Sequence, residues 1–280
     1  MRLSVTHTTL YRYSEPTRSV IQLLRVTPQS FAGQTVLDWR VDVDCDARLR
    51  EGRDGYGNVT HTLYVERPVQ RLCINVAGRL LTDDQAGVVR GLHYDLPPEV
   101  FTRSTPLTKG GAEVERLAVG LAEKSAPRLE LLHRLNRHLH ENLRFDTCAT
   151  IVETGAEEAL AAGQGVCQDF AHIFLAAARR LGLPARYVSG HLFRRDGAHI
   201  QEAAHAWAEA WVEDLGWVAF DPTNGVSADD AYVRVACGLD YRDAAPISGA
   251  RSGGGTEQLT VEVEVREARQ QSQSQSQSQS

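Results

Sequence analysis

The sequence predicts an α+β protein in which a β-sandwich-like N-terminal domain precedes a helical segment and a second antiparallel sheet. Three observations carry that prediction. Apolar residues alternate with period two through most of residues 1–76, clearest at Leu37, Trp39, Val41, Val43 and Cys45 against Asp38, Arg40, Asp42 and Asp44. From about residue 112 the period becomes helical, with Leu131, Leu132, Leu135, Leu139 and Leu143 along one stripe. Period two then returns in Ala204-His205-Ala-Trp207-Ala-Glu209-Ala-Trp211, where small side chains occupy one face and large ones the other, so that the small face can lie close against a helix.

Within the first domain, residues 1–92, Asp54-Gly-Tyr-Gly-Asn58 supplies turn chemistry before Val59, His61, Leu63 and Val65 face one side of a strand. Leu72, Ile74 and Val76 continue the alternation. Residues 93–111 hold Pro97, Pro98, Pro106, Gly110 and Gly111 and read as a linker. The segment 112–268 follows as the second domain. It opens with helices over Ala112–Lys124 and Pro127–Phe145, the second capped by Ser125. A short helix starts at Thr154, where Glu157 completes a capping box before Ala159 and Leu160.

Gly163 and Gly165 then allow a tight path into a helix headed by Cys167. Phe170, Ile173, Phe174, Ala177 and Leu181 recur on one apolar face. Arg179 and Arg180 suit the dipole of the last turn, and Gly182-Leu183-Pro184 stops the helix. Strands follow at Ala185–Phe193, Ala204–Glu213 and Trp217–Asp221, the last two joined by a three-residue loop Asp214-Leu215-Gly216 with glycine in the left-handed position. Leu259, Val261, Val263 and Val265 alternate as a final strand, and the Gln-Ser repeat filling most of residues 269–280 reads as a disordered tail.

With 280 residues and 42% hydrophobic content the chain can bury a large core. A net charge of -6 with no run of Lys or Arg leaves no footprint for nucleic acid or an anionic membrane. No segment reads as a signal peptide or a membrane span, so a cytoplasmic setting is expected. Cys45, Cys73, Cys148, Cys167 and Cys237 are odd in number and form no C-x-x-C pair, which argues against a disulfide framework or a zinc knuckle. His191, His199 and His205 lack the spacing of a metal motif, and no metal or organic cofactor is expected.

The residues that carry chemistry are Cys167, His205 and Asp221. A cysteine at a helix N-terminus has its thiolate stabilised by unpaired amides and the dipole. Nucleophilic thiol chemistry further needs a base to share the proton and a third group to hold that base. His205 opens one strand of a hairpin and Asp221 closes the other. With a three-residue loop the two share a face but are not directly opposite, and one more loop residue would put them on opposite faces. Spacing alone leaves the bland alternatives open. Cys167 could be a small buried hydrophobe, His205 a hydrogen-bonded core residue, and Asp221-Pro-Thr-Asn-Gly225 only a turn. The other histidines are weaker candidates: His172 sits within its helix, while His133, His138 and His140 share the leucine-striped helix and read as solvated.

Four ordered motifs resemble the bacterial transglutaminase-like proteins: Gly165-Val-Cys-Gln-Asp-Phe-Ala-His172, Gly182-Leu-Pro-Ala-Arg-Tyr-Val-Ser-Gly190, His205-Ala-Trp207 and Gly216-Trp-Val-Ala-Phe-Asp-Pro-Thr-Asn-Gly225. Leu10-Tyr-Arg-Tyr-Ser14 and Asp54-Gly-Tyr-Gly-Asn58 are similar to the β-rich domain that precedes the core in that family. The resemblance implies a papain-like, transglutaminase-like core with Cys167 as nucleophile, His205 as general base and Asp221 as its orienting carboxylate. It also implies a peptide or protein amide as substrate. Departures occur at Leu239, where an arginine is usual, and at Cys148, where a proline-glycine turn is common. The expected activity is amide cleavage or acyl transfer through a thioester, hydrolysis being favoured. The backbone N–H of Cys167 would be one oxyanion donor, with Gln164 or a tryptophan indole as candidates for the second. A catalytically silent peptide-binding module of the same fold is the alternative, and acyl transfer from a thioester cofactor a second enzymatic one.

Overall fold

The structure, a computed structural model, describes residues 1–92, 96–122 and 127–268. The expectations for His93, for Lys124, for a Ser125 cap and for a disordered 269–280 tail lie outside these residues. Two antiparallel sheets form the N-terminal sandwich. One contains β1 (Arg2–Thr17), β3 (Gln34–Val43), β6 (Val69–Thr82), β11 (Ile200–Gln201) and β16 (Glu257–Glu267), in the order β11-β16-β1-β6-β3. The other contains β2 (Ser19–Thr27), β4 (Arg48–Arg53), β5 (Val59–Val65) and β15 (Ile247–Ser252), in the order β15-β2-β5-β4. Between them Tyr11, Tyr13, Leu24, Leu63, Leu72 and Ile74 are buried as one cluster.

The alternation predicted for β3 holds from Trp39 onward and fails at Leu37. The ladder to β6 shifts register between Val36 and Asp38, so Leu37 is the extra residue of a bulge and is left exposed. Trp39 packs against Gly78 of β6, where any Cβ would come within 2.2 Å of the indole ring. Sequence order groups residues 257–267 with the 112–268 segment. In the structure they pair instead with β1, from Leu3 opposite Glu267 to Tyr13 opposite Glu257.

The third sheet has β7 (Val88–Val89), β10 (Ala185–Leu192), β12 (His205–Val212), β13 (Gly216–Phe220) and β14 (Tyr232–Gly238) in the order β14-β10-β12-β13-β7. The helices are α1 (Ala112–Leu121), α2 (Arg128–Asn142), α3 (Ala156–Ala162), α4 (Cys167–Arg180) and the single turn α5 (Tyr241–Ala244). A short parallel pair, β8 (Arg144–Phe145) and β9 (Gln164–Gly165), leads from α2 and α3 into α4. As its small residues suggest, β12 turns Ala206, Ala208 and Ala210 toward the core that holds Phe174, Leu175 and Ala178 of α4. That cluster also takes in Leu3, Val5, Val263 and Val265, so the first sheet and the helical core share one apolar interior.

Two side-chain amides close the free edge of β14. Gln34 exchanges two hydrogen bonds with the backbone of Arg234 (both 2.9 Å), and Asn58 exchanges two with that of Cys237 (2.7 and 2.8 Å). Each mimics a ladder pair, so the Asp54–Asn58 turn docks the sandwich onto the core sheet. The proline-rich stretch after residue 96 also packs: Phe101 is buried edge-on against Trp217 at 5.1 Å, and Arg179 of α4 donates to the carbonyl of Phe101 at 3.0 Å. Arg179 therefore does more than complement a dipole, since it also donates to Ala185, Leu239 and Thr108 from a buried position.

The capping box expected at Thr154 and Glu157 is built differently. Gly155 precedes α3 and its N–H is taken by Glu158, while Glu157 accepts from the N–H groups of Gly111, Glu113 and Val114 at 2.7–3.1 Å. It caps α1, a helix more than 40 residues earlier. Among the described residues no helix is long and apolar enough to cross a membrane.

Candidate active site

Cys167 is the first residue of α4, so its backbone N–H has no acceptor within the helix. Gly163 ends α3 in the left-handed conformation (φ 67°), and Gly165 leaves room for the Asp169 side chain, which a Cβ there would meet at 2.6 Å. Asp169 reaches back to the N–H of Val166 at 2.8 Å and accepts from Thr150 at 2.6 Å, tying the 146–150 loop to the first turn of the helix. The loop's other end is held by the Asp146 N–H on the carbonyl of Gly165 at 2.9 Å. Burial pushes the Asp169 carboxyl upward against these two hydrogen bonds.

The hairpin carries the other two residues. Val212 pairs with Gly216 and Ala208 with Phe220, so the loop is Glu213-Asp214-Leu215, one residue earlier than expected. Asp214 (φ 69°) and Gly216 (φ 87°) both take positive φ. The loop length and its parity are as predicted, and His205 and Asp221 share a face. By this register Asp221 falls opposite Trp207, two residues from His205, and the imidazole closes that diagonal. His205 Nε2 donates to Asp221 Oδ2 at 2.6 Å, and the Cys167 side chain lies near enough to raise the proton affinity of the imidazole. With Nε2 committed to Asp221, Nδ1 is the nitrogen left for the thiol.

Asp221 is fully buried. Its Oδ2 also accepts from Asn224 Nδ2 and the Tyr232 hydroxyl, each at 2.7 Å, while Oδ1 accepts the N–H groups of Thr223 (2.9 Å) and Asn224 (3.2 Å). Burial alone would raise its carboxyl, but the charge of His205 and these donors hold it below the ordinary carboxylate value. Burial likewise opposes a charged His205. The charge of Asp221, the hydrogen bond to it, and the contact with Cys167 outweigh that and bring the imidazole up to about 10. The arrangement can store a proton between sulfur and imidazole and return it.

The turn that holds Asp221 is buttressed by α2, a part of the molecule the sequence did not connect with it. His140 Nδ1 donates to the Thr223 carbonyl at 2.9 Å, Asn136 donates to the carbonyl of Val226 at 3.2 Å, and His133 stacks edge-on against Phe220. Gly225 (φ 71°) sits so close that a Cβ would lie 2.7 Å from the His140 ring. His172 is buried, accepts from the N–H of Tyr241 at 3.1 Å, and is pushed down to about 3 by burial.

His191 lies against His7 of β1, and His199 stacks on Phe193, so the three histidines weighed for a metal occupy separate surroundings. Of the oxyanion candidates, the side-chain carbonyl of Gln164 accepts from Arg144, and the buried Trp207 indole N–H has no acceptor among the described residues. Tyr232 and Asn224 were not singled out from the sequence. The Asx-turn chemistry of Asp221-Pro-Thr-Asn was the available signal for Asn224; Tyr232 had none.

Known proteins can be compared with this geometry. Residues 3–80 match the family profile of the bacterial transglutaminase-like N-terminal region, and residues 115–222 match that of the transglutaminase-like superfamily core. An uncharacterized protein of Mycobacterium leprae is 32% identical over 275 residues, covering 94% of this chain and 97% of the relative. One of Mycobacterium tuberculosis (strain H37Rv) is 32% identical over 273 residues, covering 89% and 87%. A protein-glutamine gamma-glutamyltransferase of Pseudomonas aeruginosa aligns over 105 residues at 31% identity, 31% of this chain and 14% of that protein. Among solved structures, a candidate cysteine protease of Cytophaga hutchinsonii shares the fold with a TM-score of 0.75 at 21% identity, over 95% of this chain and 90% of its own.

Proposed function

For a chain that belongs to the bacterial transglutaminase-like superfamily, we propose a thiol-dependent amide hydrolase working through Cys167, His205 and Asp221. The observation that carries the reading is the buried hydrogen bond from His205 to Asp221 beside a cysteine at a helix N-terminus that acts on the same imidazole. Cys167 sulfur attacks the amide carbonyl carbon, and His205 holds the thiol proton. The tetrahedral oxyanion is met by the Cys167 N–H. Collapse breaks the C–N bond as His205 gives its proton to the leaving amine, which leaves a thioester. Water then attacks, again losing a proton to His205, and the acid departs as the thiol is restored.

Hydrolysis is favoured over transfer to an amine. Transfer requires a site that excludes water and binds the acceptor. Trp207, Trp211 and Trp217 could have walled one, but Trp207 and Trp217 are buried in core clusters and Trp211 packs against Trp217. The Pseudomonas relative's name points to glutamine as an acyl donor, which guides the choice of probe.

The test is to incubate the protein with a glutamine-bearing peptide and a primary amine and to weigh the products. Free acid should exceed the amine adduct, and a trapped acyl group should map to Cys167. Cys148 is exposed and Cys167 only half-buried, so alkylation must be read residue by residue. Cys167→Ala should abolish the acyl-enzyme with the fold intact; turnover surviving in that variant rules the mechanism out.

A further inference from the structure

We infer that Tyr232 is a positioning residue of this site, its hydroxyl fixing the Asp221 carboxylate and sharing its charge so that His205 can release a proton. The inference rests on the reading above, in which His205 is both base and acid. Oδ2 of Asp221 receives three donors at 2.6–2.7 Å: His205 Nε2, Asn224 Nδ2 and the Tyr232 hydroxyl. The two Oδ1 donors and Asn224 come from the turn that Asp221 itself begins, so they travel with the carboxylate. Among the described residues Tyr232 is the one donor besides His205 that reaches Asp221 from a different element, the first residue of β14.

The reach is built into the sheet. Trp207 of β12 overhangs Gly190 of β10, where a Cβ would come within 2.6 Å of its ring. The Tyr232 ring stands edge-on against Trp207 at 5.4 Å, and its centroid is 6.0 Å from that of His205. Packing thus sets the ring and leaves the hydroxyl only one useful direction. Burial and the adjacent Asp221 charge push the phenol far above its ordinary value, so it remains a donor throughout the working pH range.

Three donors on one oxygen compete for the same electron density. A carboxylate deprived of the phenol O–H would hold the imidazolium N–H more strongly, and the imidazolium would become a weaker acid toward the leaving amine. It would also be free to rotate with its turn. Tyr232 therefore acts through Asp221, which separates it from a residue that merely fills space.

The experiment follows the His205 imidazole by 15N NMR titration and the pH dependence of iodoacetamide alkylation at Cys167, in the wild type, Tyr232→Phe and His205→Ala. The Phe ring keeps the contact with Trp207. In Tyr232→Phe the His205 titration should move up by roughly half a unit, about a threefold change in proton affinity, and the alkaline limb of alkylation should move with it. A purely structural role would lower thermal stability and leave both curves in place, which would overturn the inference. Should Tyr232→Phe not fold, 3-fluorotyrosine at position 232 retains the hydroxyl as a stronger donor and should move the titration down; an unmoved curve there also overturns it. Loss of the proposed mechanism looks different, because then alkylation of wild-type Cys167 would not change in His205→Ala.

Discussion

His205 and Glu209 lie four residues apart on the same face of β12, both within bonding distance of an opposite charge, yet they form two different kinds of device. Glu209 is fully buried between Arg186 and Arg234. Arg186 Nε and Nη2 each lie 2.6 Å from Oε2, and Arg234 Nε lies 2.7 Å from Oε1. The Arg186 guanidinium sits 3.9 Å above the Trp217 ring. Burial disfavours the Glu209 charge, and the two arginines more than restore it, so its carboxyl stays below the ordinary value. Both carboxylate oxygens are saturated by permanent cations, and no proton has reason to move. His205 has Nε2 on Asp221 and leaves Nδ1 free to serve the neighbouring Cys167 thiol. The difference shows that burial plus charge does not identify a site. A site requires a titrating member whose second partner is itself reactive.

The largest expected effect lies at the His205 end. His205→Ala should lower amide turnover roughly 10⁴-fold, and Asp221→Asn roughly 10²–10⁴-fold, since in the proposed mechanism the first removes the proton carrier and the second its orientation. Neither should unfold the protein. If Asp221→Asn cleaved the glutamine peptide at the wild-type rate, the two devices would be alike and the comparison above would fail.

Glu209→Gln sharpens the contrast from the other side. Removing the anion leaves Arg186 and Arg234 in the interior without their shared counter-charge, a change that destabilises by about 3–5 kcal/mol. Urea unfolding should show that loss. The folded fraction should keep the wild-type pH profile of Cys167 alkylation, because Glu209 spends both carboxylate oxygens on the two arginines, whereas His205 bonds Asp221. A shifted profile would mean that the arginines tune the site.

What could be read from the sequence was whatever is local. The α4 boundaries follow from Cys167, Gly182 and Pro184, and the shared face of His205 and Asp221 follows from loop length alone. Long-range partners were not legible. Glu157 looks like the cap of its own helix, but the exposed N–H groups of α1 are nearer in space. The strand Tyr232–Gly238 was missed because it is buried on both faces and shows no alternation. Arg186, Glu209 and Arg234 each look like outward charges until three strands bring them together. Tyr232 lies on that missed strand, which is why the carboxylate's third Oδ2 donor could not be anticipated.

The smallest expected effect concerns a third buried pair, whose proton affinity is set by burial rather than by a counter-charge. His7 of β1 and His191 of β10 meet edge to face at 5.5 Å where the first sheet joins the core sheet. Burial lowers His7 to about 4, and burial together with the His7 charge lowers His191 to about 3. Around them the structure offers Thr9, whose hydroxyl lies 3.3 Å from His7 Nε2, and the ladder neighbours Val76, Val263 and Val233. No carboxylate is among these neighbours to favour the imidazolium. An unfolded chain binds these protons near pH 6.5, whereas the folded chain refuses them until about pH 4 or lower. Their contribution is therefore complete above pH 6.5 and is lost as pH falls toward 3–4. Between pH 7.5 and 6 the loss should be on the order of 1 kcal/mol. Urea titrations of the wild type and of His7→Gln/His191→Gln at both pH values measure it. The double variant should show a flatter pH dependence. An equal slope in both proteins would mean that the two rings accept protons in the fold, and that the junction, unlike Glu209 and unlike His205, carries no electrostatic constraint.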